Sequence, residues 1–100
     1  MLLSTSAYEG WGLTISEAAA CGTPAVVSPI AGHIDAVEDG VSGFLAEPGP
    51  AMEEALDSVL SSQMVRRRLE RGALSRSQQL TWDRTALQTL QVLAGDAVRP

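Results

Sequence analysis

Two carboxylates near the start of the chain have the types and the spacing needed to hold a polyhydroxylated ligand. Glu9 begins a glycine-rich turn, and Glu17 falls within the first turns of the segment that follows. Because Gly10 and Gly12 flank Trp11, the backbone N–H groups of this turn can face a diphosphate at a helix N-terminus. The two acids would then bind the hydroxyl groups of a sugar and of a ribose, so that one unit addresses all three parts of a nucleotide-sugar.

The residues around the turn predict the elements that hold it. A helix is predicted from Leu13 to Cys21, and Gly22 is a natural helix stop. The continuous apolar run 25–28 is typical of a parallel strand that is buried on both faces. Residues 2–5 read as the end of an earlier strand. The order of strand, helix and strand therefore predicts a parallel βαβ unit.

The same stretch resembles the donor-binding motif of retaining GT-B glycosyltransferases of the glycogen-synthase-like and mannosyltransferase-like superfamily. In that family, two Glu residues separated by seven residues precede a run of small residues, Gly-x-Pro and an apolar strand. Glu9, Glu17 and the segment 22–24 (Gly-Thr-Pro) have this arrangement. The segment 39–45 (Asp-Gly-Val-Ser-Gly-Phe-Leu) resembles a later loop and strand of the family.

Two positions depart from the family pattern. Asp35 stands where the family often has Glu, and Ala31 stands where a second Gly often precedes the position of Gly32. The resemblance places Gly32 and Asp35 in a loop near the donor. His33 lies between them, and no nucleophile or carboxylate at a defined spacing accompanies it, so we interpret it as a loop residue.

The resemblance implies roles for particular residues. Glu9 would be the catalytic residue, contacting the transferred sugar, while Glu17 would bind the ribose and the Gly12 turn the phosphates. The resemblance also implies that no metal ion or other cofactor is needed, since the nucleotide diphosphate sugar is itself the donor substrate. The acceptor would be a hydroxyl group of a glycan, a lipid or a small metabolite. The implied donor-binding set is Glu9, Gly10, Trp11, Gly12, Leu13, Thr14 and Glu17.

Each of these residues also has a purely structural interpretation. Thr14 to Glu17 form a capping-box pattern, in which the Glu17 carboxylate would bond the Thr14 backbone N–H. Trp11 is either a packing residue over the turn or a platform for a sugar. The two glycines serve either positive φ angles or close approach of a ligand, and Glu9 could be an ordinary solvated acid.

Composition limits the classes of partner. The net charge of −5 argues against nucleic acid and anionic membrane surfaces, and no apolar run approaches the roughly 18 residues of a transmembrane segment. The single cysteine, Cys21, permits no internal disulfide and is predicted to be a small buried residue. We expect a cytoplasmic protein, or one peripheral to a membrane in its full-length form.

The charges also indicate that the site is incomplete. GT-B enzymes have two Rossmann-like domains, and this chain resembles only the later part of the second. It contains no Lys, and every Arg lies at or beyond Arg66, so the motif lacks the cations that a pyrophosphate leaving group requires. We therefore expect a fragment, a truncated product or a misplaced start codon, with the N-terminal GT-B domain missing and with no activity alone.

The predicted fold class is α/β, a partial Rossmann-like parallel sheet of two or three short strands with flanking helices and a helical C-terminal segment. Residues 1–46 would form the βαβ-containing nucleotide-sugar-binding part, ending in a short strand over 43–46. Residues 47–50 would be a linker, residues 51–94 the C-terminal helices of the same domain, and residues 95–100 a frayed tail.

The apolar periodicity of residues 51–94 predicts three helices. The first would bury Met52, Ala55, Leu56, Val59 and Leu60. The second, over 64–79, would bury Leu69 and Ala73, with Gly72 as a weak point and Arg66–Arg68 on a solvated surface. The third, over 82–93, would carry Trp82, Ala86 and Leu90 on one stripe, with Leu93 as a further candidate member.

Two other functions compete with sugar transfer. The chain could be a non-catalytic remnant that binds nucleotide or docks on a partner protein. A GT-B-shaped epimerase or phosphorylase ranks last, because neither has this pair of Glu residues as a rule and a phosphorylase needs a cofactor-bearing lysine.

Overall fold

The apolar run after Pro24 forms the central strand of a three-stranded parallel sheet in the computed structural model, which describes residues 1–97. The strands are β1 (Leu2–Ser4), β2 (Ala25–Val27) and β3 (Gly43–Leu45), in the order β1-β2-β3. Leu2 pairs with Ala25, and Ala25 pairs with Gly43. The carboxyl ends of the strands therefore meet at one edge, and the prediction of an α/β fold is confirmed.

Helices connect and flank these strands. Their bounds are α1 (Leu13–Ala20), α2 (Ala31–Ala36), α3 (Pro50–Ser61), α4 (Gln63–Gln79) and α5 (Trp82–Ala97). α2 is a helix where a loop with at most one helical turn is predicted, and α5 continues past its predicted end at Leu93 to Ala97. Residues 98–100 of the predicted tail lie outside the described residues.

α1 ends as its sequence predicts, and this ending exposes Cys21. Gly22 has a φ of +73°, which glycine adopts without strain. Its N–H donates to the Ala19 carbonyl at 2.9 Å, and the Thr23 N–H donates to the Ala18 carbonyl at 2.9 Å, which together form a Schellman motif. Cys21 is the C-cap and is exposed. The prediction that it is buried is wrong, because the chain reverses there and leaves it at the outer end of the helix.

The sheet is buried on both faces, as its continuous apolar run predicts. Ala25, Val26 and Val27 are each at most 2% exposed, and their side chains alternate between the two faces. One face packs against α1 and α2, and the other packs against α3 and α4. The first core contains Ile15, Ala25, Val27, Ala36 and Val37, and the second contains Val26, Ala46, Met52, Val59 and Leu69.

The junction of α3 and α4 is held by polar side chains. Ser62 caps α4, its hydroxyl accepting from the Val65 N–H at 3.2 Å. Arg66 Nη1 donates to the carbonyls of Val59 and Leu60 at 2.9 and 2.7 Å, which satisfies the end of α3. Arg66 is therefore a capping residue instead of part of a solvated surface. Leu60 is 64% exposed, so its predicted burial is wrong.

Gly72 lies where α4 crosses the turn before β3. A Cβ at this position would overlap the carbonyl oxygen of Val41 and would lie 2.6 Å from its carbonyl carbon. The absence of a side chain is thus what permits α4 to pack here. Gly72 lowers helix propensity, as the sequence indicates, but it is required by this close approach.

The apolar side chains of α5 are not covered by the part of the chain that the structure describes. Trp82 is 88% exposed and Leu90 is 63% exposed, and Ala86 is exposed as well. The predicted stripe of these three residues therefore exists on the helix, but residues 1–97 supply no surface that covers it. Periodicity identifies the apolar face of a helix, but it does not show whether the same chain supplies a surface to cover that face.

Candidate functional site

The loop between β1 and α1 carries Glu9 and holds its carboxylate with a hydroxyl group. Ser6 Oγ donates to Glu9 Oε1 at 3.0 Å. The Ser6 carbonyl in turn accepts from Ser28 Oγ at 2.6 Å, which ties the loop to the carboxyl end of β2. Glu9 is partly buried. A carboxylate has about four acceptor positions, so one bond to a serine leaves Glu9 able to accept from ligand hydroxyl groups.

α1 begins after Gly12, where the backbone conformation favours glycine. Gly12 is the N-cap, with φ 80° and ψ 53°, and no side chain caps the helix. An added Cβ would lie 3.0 Å from Ile15 Cδ1 and 3.4 Å from His33 Cδ2. The expected positive φ is confirmed. The N–H groups of Leu13 and Thr14 fall in the first turn, where a helix offers no internal acceptor, so they suit an anion.

Glu17 lies in the second turn of α1 and is exposed. A capping box would need Thr14 at the N-cap position, with the Glu17 carboxylate reaching its N–H. The helix instead begins at Leu13, with Gly12 as N-cap and no side-chain cap. The capping-box interpretation is therefore wrong, and the ribose-binding role of Glu17 stays a prediction.

Trp11 is anchored across the first turns of α1. Its Nε1 donates to Ser16 Oγ at 2.9 Å, and the side chain remains 39% exposed. Trp11 and Leu13 line a cavity of about 600 Å³ whose opposite wall is the end of α4 and the start of α5. The predicted site residues lie on one loop and one helix, but they do not share one surface. Trp11 and Leu13 line this cavity, whereas Glu9 and Glu17 do not.

Gly10 has no internal reason to be a glycine. Its φ is not positive, and an added Cβ would meet no atom within 4 Å. Gly32 is different, because a Cβ there would lie 3.0 Å from the Gly10 carbonyl oxygen and 3.1 Å from that of Glu9. The start of α2 therefore packs closely against the backbone of the Glu9 loop, whereas the space beside the Gly10 Cα is empty of protein atoms. Close approach of a ligand to Gly10 stays a prediction.

His33 lies in a helix, where the sequence predicts a loop residue. It lies within α2 and is 1% exposed. Its Nδ1 donates to the Ser28 carbonyl at 2.7 Å, and its Nε2 lies 3.5 Å from Ser4 Oγ. These partners are five and 29 residues away in sequence, so no local spacing could reveal them. The only available signal was a serine at the carboxyl end of each of the first two strands: Ser4 ends β1 and Ser28 directly follows β2.

Asp35, the other residue of this segment, contributes its backbone. Its carbonyl accepts from Arg76 Nη2 at 2.7 Å, which joins α2 to α4, and its side chain is exposed. Within residues 1–97, no group of three or more His, Cys, Asp or Glu side chains is placed to hold a metal ion. Among the described helices, none combines the length and the apolar character needed to cross a membrane.

Comparison with known families agrees with this geometry. The profile of the family described as Glycosyl transferases group 1 matches residues 1–76, which include the three strands, the Glu9 loop and most of α4. The chain belongs to the glycosyl transferases group 1 family. Curated relatives in the family are named D-inositol 3-phosphate glycosyltransferase. That of Nocardioides sp. is 37% identical over 91% of this chain, and that of Salinispora arenicola is 38% identical over 97% of it.

Solved structures of GT-B enzymes share the fold of this family member. Sucrose-phosphate synthase from Thermosynechococcus elongatus superimposes with a TM-score of 0.74 at 33% identity, over 90% of this chain and 23% of that one. Anabaena HepE, solved in complex with UDP-glucose, gives a TM-score of 0.72 at 30% identity, over 93% of this chain and 27% of that one. The chain spans 20% of the Nocardioides relative and 22% of the Salinispora relative.

Proposed function

We propose that this chain is the donor-binding portion of a retaining glycosyltransferase, which transfers a hexose from a nucleotide diphosphate sugar to an acceptor hydroxyl. The observation that carries the proposal is that the loop holding the Glu9 carboxylate leads directly into the uncapped N-terminus of α1. Glu9 is held by Ser6, and three residues later Gly12 begins the helix without a side-chain cap. The family membership and the UDP-glucose complex of HepE support the same assignment.

Each part of the donor has a matching part of the site. The N–H groups of Leu13 and Thr14 face the diphosphate, because the positive end of α1 favours negative charge. Glu9 accepts from hydroxyl groups of the hexose and is the catalytic residue, while Glu17 accepts from the ribose. Gly10 allows the hexose to approach the backbone, since no protein atom fills the space beside it.

Transfer then proceeds by departure of the nucleoside diphosphate and attack of the acceptor hydroxyl on the same face of the sugar. The bond between the anomeric carbon and the diphosphate oxygen breaks, the bond to the acceptor oxygen forms, and the acceptor proton passes to the departing phosphate. Stabilising the charge that develops on the diphosphate is the main task of the protein. The helix N-terminus supplies part of that stabilisation without a metal ion, and cations from outside residues 1–65 supply the rest.

The acceptor site would lie on the N-terminal domain of the complete enzyme, so we expect the 100-residue chain to bind donor but to transfer no sugar alone. Glycans, lipids and small metabolites are the acceptor classes. The names of the curated relatives make D-inositol 3-phosphate the first acceptor to assay with the complete enzyme.

The test is isothermal titration calorimetry with UDP-, GDP- and ADP-linked hexoses and with the corresponding diphosphates. We expect Glu9→Ala to weaken binding of the nucleotide sugar but not of the nucleoside diphosphate, because the nucleoside diphosphate has no hexose for Glu9 to contact. Glu17→Ala should weaken both ligands through the ribose. Glu54→Ala is the matched control, since Glu54 is an exposed acid on α3. If none of these ligands binds, or if Glu9→Ala has no effect on any, the proposal is wrong.

A binding module without catalysis is the second candidate. It is favoured by the absence of Lys and of any Arg before Arg66, which leaves the described motif without the cations that a diphosphate leaving group requires. Measuring transfer by the complete protein separates the two. Donor binding together with product formation supports the transferase, whereas donor binding without turnover supports the module.

A further inference from the structure

His33 lies beneath the Glu9 loop, and its Nδ1 is hydrogen-bonded to Ser28. Nδ1 is 2.7 Å from the Ser28 carbonyl oxygen and 3.2 Å from Ser28 Oγ. A carbonyl group can only accept, so Nδ1 carries a proton and donates to it. Nε2 faces Ser4 Oγ at 3.5 Å. The ring is 1% exposed and has no place in the binding roles assigned above, so its polar contacts call for an explanation.

The partners of His33 lead to the Glu9 carboxylate. Ser28 Oγ donates to the Ser6 carbonyl at 2.6 Å. Ser4 Oγ donates to Ser6 Oγ at 3.2 Å, and Ser6 Oγ donates to Glu9 Oε1 at 3.0 Å. One connected route therefore runs from the buried imidazole through Ser28 to the Ser6 backbone, and Ser6 Oγ holds Glu9. Ser4 Oγ supports Ser6, because its single proton is donated to Ser6 Oγ.

Packing joins the same two regions. A Cβ on Gly32, the residue before His33, would lie 3.1 Å from the Glu9 carbonyl oxygen, and a Cβ on Gly12 would lie 3.4 Å from His33 Cδ2. The loop therefore rests directly on the first turn of α2. A change in the position of His33 would move the support of Glu9 as well as its hydrogen bonds.

We propose that His33 is a positioning residue, which fixes the direction of the Glu9 carboxylate toward the donor hexose by acting through Ser28 and Ser6. Glu9 lies on a loop, where a free carboxylate samples several rotamers. Fixing it in advance lowers the entropic cost of binding the sugar, in the same way that outer hydrogen bonds orient the ligands of a metal. The inference rests on the proposed role of Glu9 as the contact with the hexose.

The test measures, by isothermal titration calorimetry, the dissociation constants of two ligands for each variant. One is the UDP-, GDP- or ADP-linked hexose that binds tightest, and the other is its parent diphosphate. The dissociation constant of the nucleoside diphosphate divided by that of the nucleotide hexose isolates the contacts of the hexose. We expect Ser6→Ala to lower this ratio roughly 2–10-fold, as the loss of one hydrogen bond predicts, with little change in diphosphate affinity.

Variants of His33 test the path beyond Ser6. His33→Leu removes the hydrogen bond to the Ser28 carbonyl and should lower the ratio as Ser6→Ala does. His33→Asn keeps an amide donor near the position of Nδ1, so the ratio should fall less than it does in His33→Leu. In a Glu9→Ala background, His33→Leu should cause no further fall. Ser42→Ala is the control, because Ser42 is also buried and its hydroxyl accepts from the Glu38 N–H, away from the loop.

The outcomes separate this inference from the proposed function. If Glu9→Ala lowers the ratio but Ser6→Ala and His33→Leu do not, the positioning role is wrong and the donor site stands. If His33→Leu weakens the diphosphate as much as the nucleotide sugar, His33 is only a structural residue. If Glu9→Ala itself leaves the ratio unchanged, the role of Glu9 fails, and the positioning role fails with it.

Discussion

Replacing Gly72 by alanine has two opposing effects on stability, since it raises helix propensity but disturbs the close packing of α4. Alanine is the better helix former by about 1 kcal/mol in a helix interior, so the sequence alone predicts stabilisation. In the fold, the new Cβ would overlap the Val41 carbonyl oxygen and lie 2.6 Å from the carbonyl carbon. A backbone group cannot rotate away as a side chain can. Either α4 or the turn that contains Val41 must therefore move.

The structure indicates that packing dominates. Overpacking of this kind costs about 1–3 kcal/mol, and contact with backbone places Gly72→Ala at the upper end of that range. After the gain of about 1 kcal/mol in helix propensity, we expect the free energy of unfolding to fall by about 2 kcal/mol. For a domain of this size, that corresponds to a fall in Tm of roughly 8–16 °C.

Urea unfolding followed by circular dichroism measures this change. Gly95→Ala is the matched control, because Gly95 also lies within a helix and an added Cβ would meet no atom within 4 Å. We expect that variant to gain helicity with no loss of stability. If Gly72→Ala instead raised the unfolding midpoint, the close approach of α4 to Val41 would be refuted.

Three further changes test other parts of the fold by the same unfolding assay. Gly43→Ala should cost about 3 kcal/mol or more, because its Cβ would overlap the Ala25 carbonyl oxygen inside the β2–β3 pair; a stable variant would contradict that register. Arg66→Met should cost about 1–2 kcal/mol by leaving the last carbonyls of α3 unpaired, while Arg67→Met, an exposed control, should cost little. Leu90→Gln should change stability by less than about 0.5 kcal/mol, since Leu90 is exposed; a larger loss would show that α5 is packed.

The strands and α1 could be predicted because their signals are local. The apolar run 25–27 must be buried on both faces wherever it lies, and Gly22 stops a helix in any context. These features depend on a few adjacent residues, so the sequence pattern alone was sufficient to identify them.

The errors arose where a distant contact decides the outcome. His33 is buried by residues from β1 and from the end of β2, which no spacing along the chain brings together. Gly72 has low helix propensity, yet a glycine is required there because the Val41 backbone, 31 residues earlier, leaves no space for a side chain. The apolar residues of α5 formed a convincing stripe, but whether a stripe is covered depends on surfaces that the pattern does not contain.

The exposure of α5 also bears on the order in which the molecule unfolds. Every residue from 82 to 96 is exposed, and an isolated helix of 16 residues is only marginally stable in water. Its amide protons should therefore exchange with solvent far sooner than those of α4, which is anchored by Leu69 and Ala73. Mild denaturation would melt α5 first and leave the Glu9 loop intact, because that loop is tied to β2 and α2.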